Sequence, residues 1–299
     1  MLVRNIIEVK NVTKDYGKGK GIFDVDITVM KGEVFGFLGP NGAGKTTTIR
    51  NLLGFIRPIK GECFIDGMDC YNDAAKIQEN LGYLPGEITF LEDLSGKQML
   101  DFIASMKGIK DKTRMNELMD IFELDPRGKI KKMSKGMKQK IGIICAFMGS
   151  PDIIILDEPT SGLDPLMQNR FVELILEEKS KGKTIFMSSH IFEEVERTCD
   201  RTAIIKEGKI AAIENMESLK AKKRKFYTLE FESEKELLRF NEENPSIKII
   251  EVLGKNVTVA VQGDIVKFLS TVTKYKIKDL DVKRETIEEI FLHFYGGEK

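Results

Sequence analysis

The spacing of apolar residues changes along the N-terminal part of the chain. In FDVDITV (23–29) apolar and polar residues alternate, as in a strand with one buried face, whereas EVFGFL (33–38) is almost continuously apolar. The second pattern is typical of a fully buried strand. A helical stretch, GAGKTTTIRNLLG (42–54), follows directly. The N-terminal part therefore predicts antiparallel strands, the first strand of a central sheet, and a helix.

Helical and alternating patterns follow in the next part of the chain. Residues 88–150 predict an inserted helical subdomain, because MLDFIASM (99–106) and MNELMDIFEL (115–124) carry apolar residues three and four positions apart. Strands and helices then alternate: strand DIIILDEP (152–159), a helix from Pro165 to about Lys181, strand TIFMSS (184–189), a short helix to Cys199, and strand TAIIKEGKI (202–210). This alternation predicts an α/β fold with a mostly parallel sheet.

The C-terminal part has a different order of elements. A basic run at 219–225 is interpreted as a solvated linker, with a contact to nucleic acid or lipid as the alternative. Residues 226–299 then predict a small α+β domain in the β-α-β-β-α-β order of a ferredoxin-like module. The predicted elements are strands 226–232, 247–253, 256–262 and 277–282, helices 234–244 and 264–275, and a last amphipathic helix, ETIEEIFLHFYG (285–296). No catalytic motif stands out in this domain, so we expect a regulatory or interaction role.

Composition and charge exclude several classes of protein. The 299 residues are 41% apolar and 31% charged, and 47 basic side chains balance 47 acidic ones, so no net charge favours nucleic acid or an anionic membrane as the main partner. The four cysteines form no CxxC pair and are interpreted as reduced thiols of a cytosolic protein. Because the N-terminus lacks a secretory signal and no apolar run approaches about 20 residues, we expect a chain that is neither exported nor membrane-spanning.

The strongest chemical motif is GPNGAGKTT (39–47), hereafter the phosphate loop, which fits GxxxxGK[ST] between an apolar strand and a helix. Its glycines allow backbone N–H groups to point at phosphate oxygens, and the helix dipole adds to the attraction. Lys45 is predicted to reach the β- and γ-phosphates and Thr46 to bind Mg²⁺. The residues expected to bind nucleotide here are Gly39, Pro40, Asn41, Gly42, Ala43, Gly44, Lys45, Thr46 and Thr47.

Two adjacent carboxylates end the apolar strand IIILDEP (153–159). Asp157 lies at the strand terminus, where an ATPase with a phosphate loop places the acid that holds Mg²⁺, and Glu158 is suited to activate the attacking water. An ordinary solvated strand end also carries adjacent acids. The presence of the phosphate loop favours the catalytic interpretation.

Three shorter stretches carry further signals. SGLDP (161–165) predicts a helix that begins after an Asp164 N-cap. His190 follows a predicted strand, where a lone histidine more often packs or caps than reacts. In MSKGMKQK (133–140), Ser134 and Gly136 predict a helix start able to hold an anion. Because the phosphate loop already provides one such site, the second needs a separate explanation.

Five motifs, taken in their order along the chain, resemble those of the nucleotide-binding subunit of an ATP-binding cassette (ABC) transporter. They are GPNGAGKTT, MSKGMKQK, IIILDEP, SGLD and SSH. Ser134 precedes Asp157 by 23 residues and His190 follows Glu158 by 32, which also fits. The end of the chain is similar to that of bacterial exporter-type members with a small C-terminal domain. The resemblance implies a P-loop NTPase of the ABC ATPase type in residues 1–218: a mostly parallel core sheet, an N-terminal antiparallel β subdomain and the inserted helical subdomain.

The same resemblance implies a role for each motif. One set of residues is implied to act on the nucleotide bound by its own chain. Tyr16 would stack on adenine, Lys45 and the amides of 42–47 would hold the phosphates, and Thr46 and Asp157 would bind Mg²⁺. Glu158 would be the general base, and His190 would contact the γ-phosphate. MSKGMKQK, hereafter the signature segment, is implied to serve the partner copy's ATP: Ser134 and the Gly136 amide would face its γ-phosphate. Asp164 would also touch the partner subunit's site.

Two segments depart from the family pattern. The family usually has a glutamine after the GYLP-type segment, where this chain has Gly86 and Glu87. Glu87 is predicted to supply a metal ligand in its place, although it adds negative charge beside two other carboxylates. The signature segment reads MSKGM where the family usually has LSGGQ. Its Lys135 either extends into solvent or places a cation near the transferred phosphate.

The implied function is that of a cytosolic ATPase that dimerises head to tail around two ATP and drives a separate membrane permease. Such a subunit is peripheral on the inner face of the cell membrane, and the resemblance favours export over import. No nucleic acid partner is expected. Two alternatives are a soluble ABC ATPase that acts on ribosomes or DNA, and an inert dimerisation scaffold for the C-terminal domain. The single cassette with a short helical insertion argues against the first, and the intact catalytic motifs argue against the second.

Overall fold

The structure, a computed structural model, describes residues 4–222, 225–244, 247–261 and 265–290. The chain divides into two compact units, Met1–Met216 and Glu217–Lys299. In the described ranges, no helix combines the length and the apolar character needed to cross a bilayer. The four cysteines are free thiols.

The first unit is built on two sheets. Its strands are β1 (Asn5–Asp15), β2 (Gly21–Met30), β3 (Val34–Leu38), β4 (Lys60–Ile65), β5 (Met68–Asp69), β6 (Leu81–Leu84), β7 (Ile153–Asp157), β8 (Thr184–Ser189), β9 (Arg201–Lys206) and β10 (Lys209–Asn215). One sheet is antiparallel, in the order β2-β1-β4-β5. The other has the order β10-β9-β3-β8-β7-β6 and is parallel except between β9 and β10. The predicted α/β fold with an N-terminal antiparallel subdomain is confirmed.

The central strands of the parallel sheet are covered on both faces. Every residue of β3 and β8 is buried, and the rings of Phe35 and Phe186 stack with centroids 5.9 Å apart. The register pairs Leu38 with Ser189 and Asp157 with Ser188 at the carboxyl ends of these strands. Because parallel strands end at the same edge of a sheet, this edge brings the phosphate loop and the ends of β7 and β8 together.

The helices of the first unit fall where the sequence predicts them, except for the short helix Ala74–Glu79, which is not predicted. They are α1 (Lys45–Leu52), α2 (Ala74–Glu79), α3 (Gly96–Met106), α4 (Thr113–Ile121), α5 (Lys135–Phe147), α6 (Pro165–Ser180) and α7 (Phe192–Thr198), with a 3-10 helix at Ile130–Lys132. Ser95 and Gln98 form a capping box at the start of α3. Asp164 Oδ1 accepts the Met167 N–H at 3.0 Å, so the predicted N-cap of α6 is confirmed.

The second unit contains a four-stranded antiparallel sheet. Its elements are β11 (Lys225–Phe231), α9 (Glu234–Glu243), β12 (Lys248–Leu253), β13 (Asn256–Val261), α10 (Ile265–Val272) and β14 (Ile277–Arg284). The strand order is β12-β13-β11-β14, and every neighbouring pair is antiparallel. Aromatic residues form much of the core, since Phe231, Phe240 and Tyr275 pack edge to face or tilted. The elements follow one another in the predicted β-α-β-β-α-β order.

The segment between the two predicted domains differs from expectation. Instead of a linker at 219–225, helix α8 (Met216–Lys222) extends through its first half, and β11 begins at Lys225. Met216 and Leu219, three positions apart, are buried and give this helix an apolar side despite its lysines. The predicted C-terminal helix (285–296) is helical at 287–290, and its remaining residues lie outside the described ranges.

Candidate active site

The phosphate loop is shaped by close backbone contacts that only glycine permits. A Cβ on Gly39 would lie 2.5 Å from the carbonyl oxygen of Ile205, and a Cβ on Gly44 would lie 2.6 Å from Ile22 Cγ2. Gly44 also has φ +114°, which side-chain-bearing residues rarely adopt. Gly44 is the N-cap of α1, so the first amides of that helix, from Lys45 onward, point into the loop.

Lys45 is buried at the centre of this loop. Its Nζ donates to the carbonyl oxygens of Gly39 at 2.6 Å and Pro40 at 3.2 Å, and lies 3.0 Å from Glu158 Oε1. The loop carbonyls therefore orient an ammonium group beside the strand-end carboxylates. An ammonium held in this way attracts the phosphates of a nucleotide.

Asp157 and Thr46 form the adjacent polar contact. Thr46 Oγ1 donates to Asp157 Oδ2 at 2.8 Å, and Ser188 Oγ donates to Asp157 Oδ1 at 2.5 Å. The carboxylate is buried, so these two hydroxyl groups satisfy it and fix its orientation. Oxygen donors of this kind are the ligands that Mg²⁺ prefers.

Glu158 has an unusual backbone conformation for a residue with a side chain. Its φ is +49°, in the left-handed region. The Glu158 N–H donates to Ser188 O at 3.2 Å and to Ser188 Oγ at 3.1 Å, and the Glu158 carbonyl accepts from Gln139 Nε2 at 3.3 Å and Ser161 N at 3.1 Å. Hydrogen bonds on both sides of the residue thus hold this conformation, which directs the carboxylate toward Lys45 and His190.

The structure brings Glu158 and His190 into direct contact. His190 Nδ1 lies 2.5 Å from Glu158 Oε2, and about half of the histidine side chain is exposed. With Glu158 ionised, the carboxylate only accepts, so Nδ1 carries the shared proton and Nε2 remains available to a ligand. The lone histidine is therefore paired with the predicted general base.

A magnesium ion fits the donor set at Thr46 and Asp157. Among the described residues no group of three or more His, Cys, Asp or Glu side chains is arranged to hold a metal. Mg²⁺ typically binds to one or two protein oxygens, with water and phosphate oxygens completing its coordination. Glu87 is exposed, and the residue that approaches Asp157 from this segment is Gly86, whose added Cβ would lie 3.1 Å from Asp157 Oδ2. A metal contact by Glu87 stays a prediction.

Tyr16 has an exposed ring at the end of β1. Just over half of its surface is accessible (55%), its N–H donates to Lys20 O at 2.8 Å, and Lys14 Nζ lies 6.0 Å from the ring centroid. An exposed aromatic face beside a cation is suited to stacking on a base. The adenine contact itself stays a prediction.

The signature segment begins α5, as its sequence predicts. Ser134 is the N-cap, and its Oγ accepts the Met137 N–H at 3.2 Å. Among the described residues, no hydrogen bond or ion pair joins Ser134 or Gly136 to the phosphate loop, Glu158 or His190. Ser134 and Gly136, the residues implied to face a γ-phosphate, therefore make no described polar contact with the phosphate site of their own chain.

Lys135 is exposed, but its ammonium does not simply extend into solvent. A contact with the transferred phosphate stays a prediction. Lys135 Nζ donates to Ser161 Oγ at 2.8 Å, and the aliphatic stem of the lysine lies over Gly162. The ammonium is thus bound to the SGLD loop (161–164) of its own chain. The sequence does not predict this contact, because it depends on how α5 and the loop after β7 approach each other.

Three residues support the site although the sequence analysis assigns no role to them. Ser188 orients Asp157, and buried Gln139 donates to the carbonyl oxygen of Pro159 at 2.7 Å. Ser189 Oγ donates to Glu194 Oε2 at 2.7 Å and accepts the Ile191 N–H at 3.0 Å, which shapes the loop that carries His190. The sequence signal for this set is that its members lie within the MSKGMKQK and SSH motifs.

Burial raises the pKa of the Glu194 carboxyl from 4.5 to about 7. Hydrogen bonds from Ser189 and Thr160 oppose this shift, and the charge of Glu158 adds to it. A carboxyl group with a raised pKa in the folded state binds protons more tightly there than in the unfolded chain. The protonated Glu194 carboxyl therefore stabilises the folded state. This stabilisation is complete below about pH 4.5 and is lost as the pH rises through about 7.

The Glu194→Gln variant is therefore expected to gain stability relative to the parent chain as the pH rises. Glutamine keeps an acceptor for Ser189 but does not ionise, so the difference in unfolding free energy should grow by up to about 3 kcal/mol between pH 5 and pH 8. Urea denaturation at both pH values measures it. Glu193→Gln, an exposed neighbour on α7, is the matched control. A stability difference that does not change with pH would rule out titration of Glu194 in this range.

Comparisons with known proteins agree with these motifs. A family model described as ABC transporter matches residues 22–161. The bacitracin transport ATP-binding protein BcrA of Bacillus licheniformis is 33% identical over 300 residues, which cover 98% of this chain and 98% of that protein. The linearmycin resistance ATP-binding protein LnrL of Bacillus subtilis (strain 168) is 36% identical over 213 residues, covering 70% and 68%. A solved structure of an ATP-binding subunit of an ABC transporter is 32% identical with a TM-score of 0.65, over 72% of this chain and 92% of that one. The chain therefore belongs to the family of ABC transporter ATP-binding proteins.

Proposed function

We propose that the chain binds and hydrolyses ATP as a head-to-tail dimer and thereby drives a separate membrane permease. One observation carries the enzymatic part of this proposal: Glu158 lies 3.0 Å from Lys45 and 2.5 Å from His190. The carboxylate that would activate water is thus placed between the ammonium that would hold the phosphates and the imidazole that would contact the γ-phosphate. Residues 1–218 form the ATPase cassette in this proposal, and residues 226–299 a regulatory or interaction domain.

The hydrolytic step follows from these positions. Phosphoryl transfer to water depends mainly on positioning and on stabilising negative charge. The phosphate-loop amides and Lys45 hold the β- and γ-phosphates, and Glu158 accepts a proton from the attacking water. His190 stays hydrogen-bonded to Glu158 through Nδ1 and presents Nε2 to the γ-phosphate. Thr46 and Asp157 would hold Mg²⁺, which supplies a Lewis acid for the phosphate oxygens when bound.

The separation of the signature segment from the phosphate loop supports the dimer. Each contains a helix N-terminus suited to an anion, yet within one chain no described hydrogen bond or ion pair joins Ser134 or Gly136 to the phosphate loop. In a head-to-tail dimer, Ser134 and the Gly136 amide of one copy complete the phosphate site of the other. ATP then stabilises the closed dimer and hydrolysis releases it.

The permease partner is supported by an apolar groove of about 270 Å³. Phe55 is half exposed at its rim and packs edge to face on Tyr83, and Pro85, Ile88 and Ile103 also line the groove. Leu81 and Tyr83 of β6 line the groove, and Gly86, two residues after the end of this strand, approaches Asp157. A helix of the permease seated here would therefore press close to the magnesium ligands. This assembly would place the chain on the inner face of the membrane, and the transport and resistance relatives favour export.

Phe55→Asp is expected to abolish assembly with the permease while ATP binding is unchanged. The variant places a charge at an apolar rim but leaves the phosphate loop intact. The measurement is co-purification with a co-expressed candidate permease, together with the ATPase stimulation that the permease produces. Leu176→Asp, a similarly exposed apolar position on α6, is the control. Assembly of Phe55→Asp at the parent level would refute the groove as the docking site.

The soluble alternative makes a different prediction. An ABC ATPase that acts on ribosomes or DNA would sediment with them in an ATP-dependent manner and would not assemble with a membrane protein. The balanced charge of the chain does not favour nucleic acid. ATP-dependent co-sedimentation with ribosomes, without permease assembly, would replace the transporter proposal.

A further inference from the structure

The contact between Lys135 and Ser161 has no part in the hydrolytic step described above. Lys135 Nζ donates to Ser161 Oγ at 2.8 Å. The lysine stem also covers Gly162, since a Cβ on that glycine would lie 3.0 Å from Lys135 Cγ and Cδ. The signature segment and the SGLD loop of one chain are thus joined by both a charged hydrogen bond and an apolar contact.

Two glycines allow the backbones of these segments to approach closely. A Cβ on Gly136 would lie 2.7 Å from the carbonyl oxygen of Gly162, too short for any side chain to be accommodated without displacement. Gly162 itself has φ +81°, in the left-handed region. The first turn of α5 therefore lies directly against the SGLD loop, and Gly136 has a packing role in its own chain.

The same face of α5 also contacts the base of the loop. Gln139 lies four residues after Lys135 and hence on the same side of the helix. Its buried amide donates to the carbonyl oxygens of Pro159 and Glu158, and Ser161 N donates to that same Glu158 oxygen. Positions 135 and 139 therefore hold the segment from Glu158 to Gly162 at both ends.

We propose that Lys135 is a positioning residue that holds the SGLD loop ready for the partner's nucleotide site. The proposal rests on the head-to-tail dimer, in which this loop meets the other copy. A loop that is ordered before association loses less conformational entropy on closure, so the dimer forms more readily. The glycine usual in the family at position 135 has no side chain for this contact.

The first test measures the loop in the single chain. Lys135→Met keeps the stem over Gly162 and removes the ammonium, so amide hydrogen exchange in residues 160–164 should become about 3- to 10-fold faster. Ser161→Ala should give the same change. Lys132→Met is the matched control, because the exposed side chain of Lys132 makes no described hydrogen bond or ion pair. Unchanged exchange in Lys135→Met would refute the proposal.

The second test measures ATP-driven dimerisation in a Glu158→Gln background by sedimentation velocity. Lys135→Met and Ser161→Ala should each weaken the dimer about 10- to 100-fold, since the lost hydrogen bond counts once in each copy. The double variant should be no weaker than either single one, because both remove the same bond. Ser161→Thr retains the hydroxyl and should behave like the parent.

The outcomes separate this proposal from the dimer on which it rests. If Lys135→Met weakens the dimer and Ser161→Ala does not, Lys135 acts on the phosphate and the positioning role is wrong. If exchange in the loop rises but dimerisation is unchanged, the contact is structural only and the proposal fails. If the Glu158→Gln parent itself does not dimerise with ATP, the proposed head-to-tail dimer fails, whatever the exchange experiment shows.

Discussion

The Glu158→Gln variant is expected to bind ATP normally and to hydrolyse it about 10²- to 10⁴-fold more slowly than the parent chain. Glutamine has nearly the same shape as glutamate and keeps an oxygen that can accept from His190. It does not accept a proton from water at neutral pH, so the loss falls on the hydrolytic step. Because the phosphates are held by the phosphate loop and Lys45, affinity for ATP should be preserved.

Phosphate release with the permease present, and ATP affinity by calorimetry, measure the two parts of this prediction. Glu193→Gln removes a nearby exposed carboxylate that does not contact the site and is a suitable control. Turnover of Glu158→Gln near the parent value would mean that another group activates the water.

The Lys45→Ala variant is expected to lose measurable ATP binding. In the parent chain the Lys45 ammonium is oriented by the carbonyl oxygens of Gly39 and Pro40. It is therefore placed to meet the phosphates without rearrangement of the loop. Removing a charge-assisted contact to each of two phosphates weakens binding by about 10²-fold or more. Glu158 also loses the cation 3.0 Å from its Oε1, which adds repulsion toward a phosphate.

Calorimetric titration with ATP measures this loss. Lys45→Met keeps most of the aliphatic stem and should show the same loss, which separates the charge from the packing of a buried side chain. Lys60→Ala, an exposed lysine on β4, should bind as the parent does. Unchanged affinity in Lys45→Met would show that the backbone amides alone hold the nucleotide.

Much of the first unit is predictable because its signals are local. β3 and β8 are runs of apolar residues, and the phosphate loop and the Asp164 N-cap follow from turn chemistry at short range. The alternation of strands and helices predicts a parallel sheet, whose strands all end at one edge. Asp157 ends one of these strands and His190 follows another, so both are expected at that edge. These inferences need only the spacing of residues along the chain.

Other features depend on contacts between distant segments. The Lys135–Ser161 bond joins residues 26 positions apart. The two orientations predicted for Lys135, toward solvent or toward the phosphate, do not include a contact with the SGLD loop of its own chain. Gly86 approaches Asp157 from the segment that follows β6, so this contact cannot be inferred from GYLPGEIT alone. The lysines at 219–225 favour a linker when the sequence is considered alone, whereas the burial of Met216 and Leu219 in the folded chain supports a helix.

Sedimentation of the Glu158→Gln chain with and without ATP tests directly whether two copies share the nucleotide sites. We expect a monomer without nucleotide and a dimer with saturating ATP, because each copy lacks half of a complete site. ADP should not produce the dimer, since it has no γ-phosphate for the signature segment to contact. A chain that binds ATP and remains a monomer at micromolar concentration would contradict the shared site.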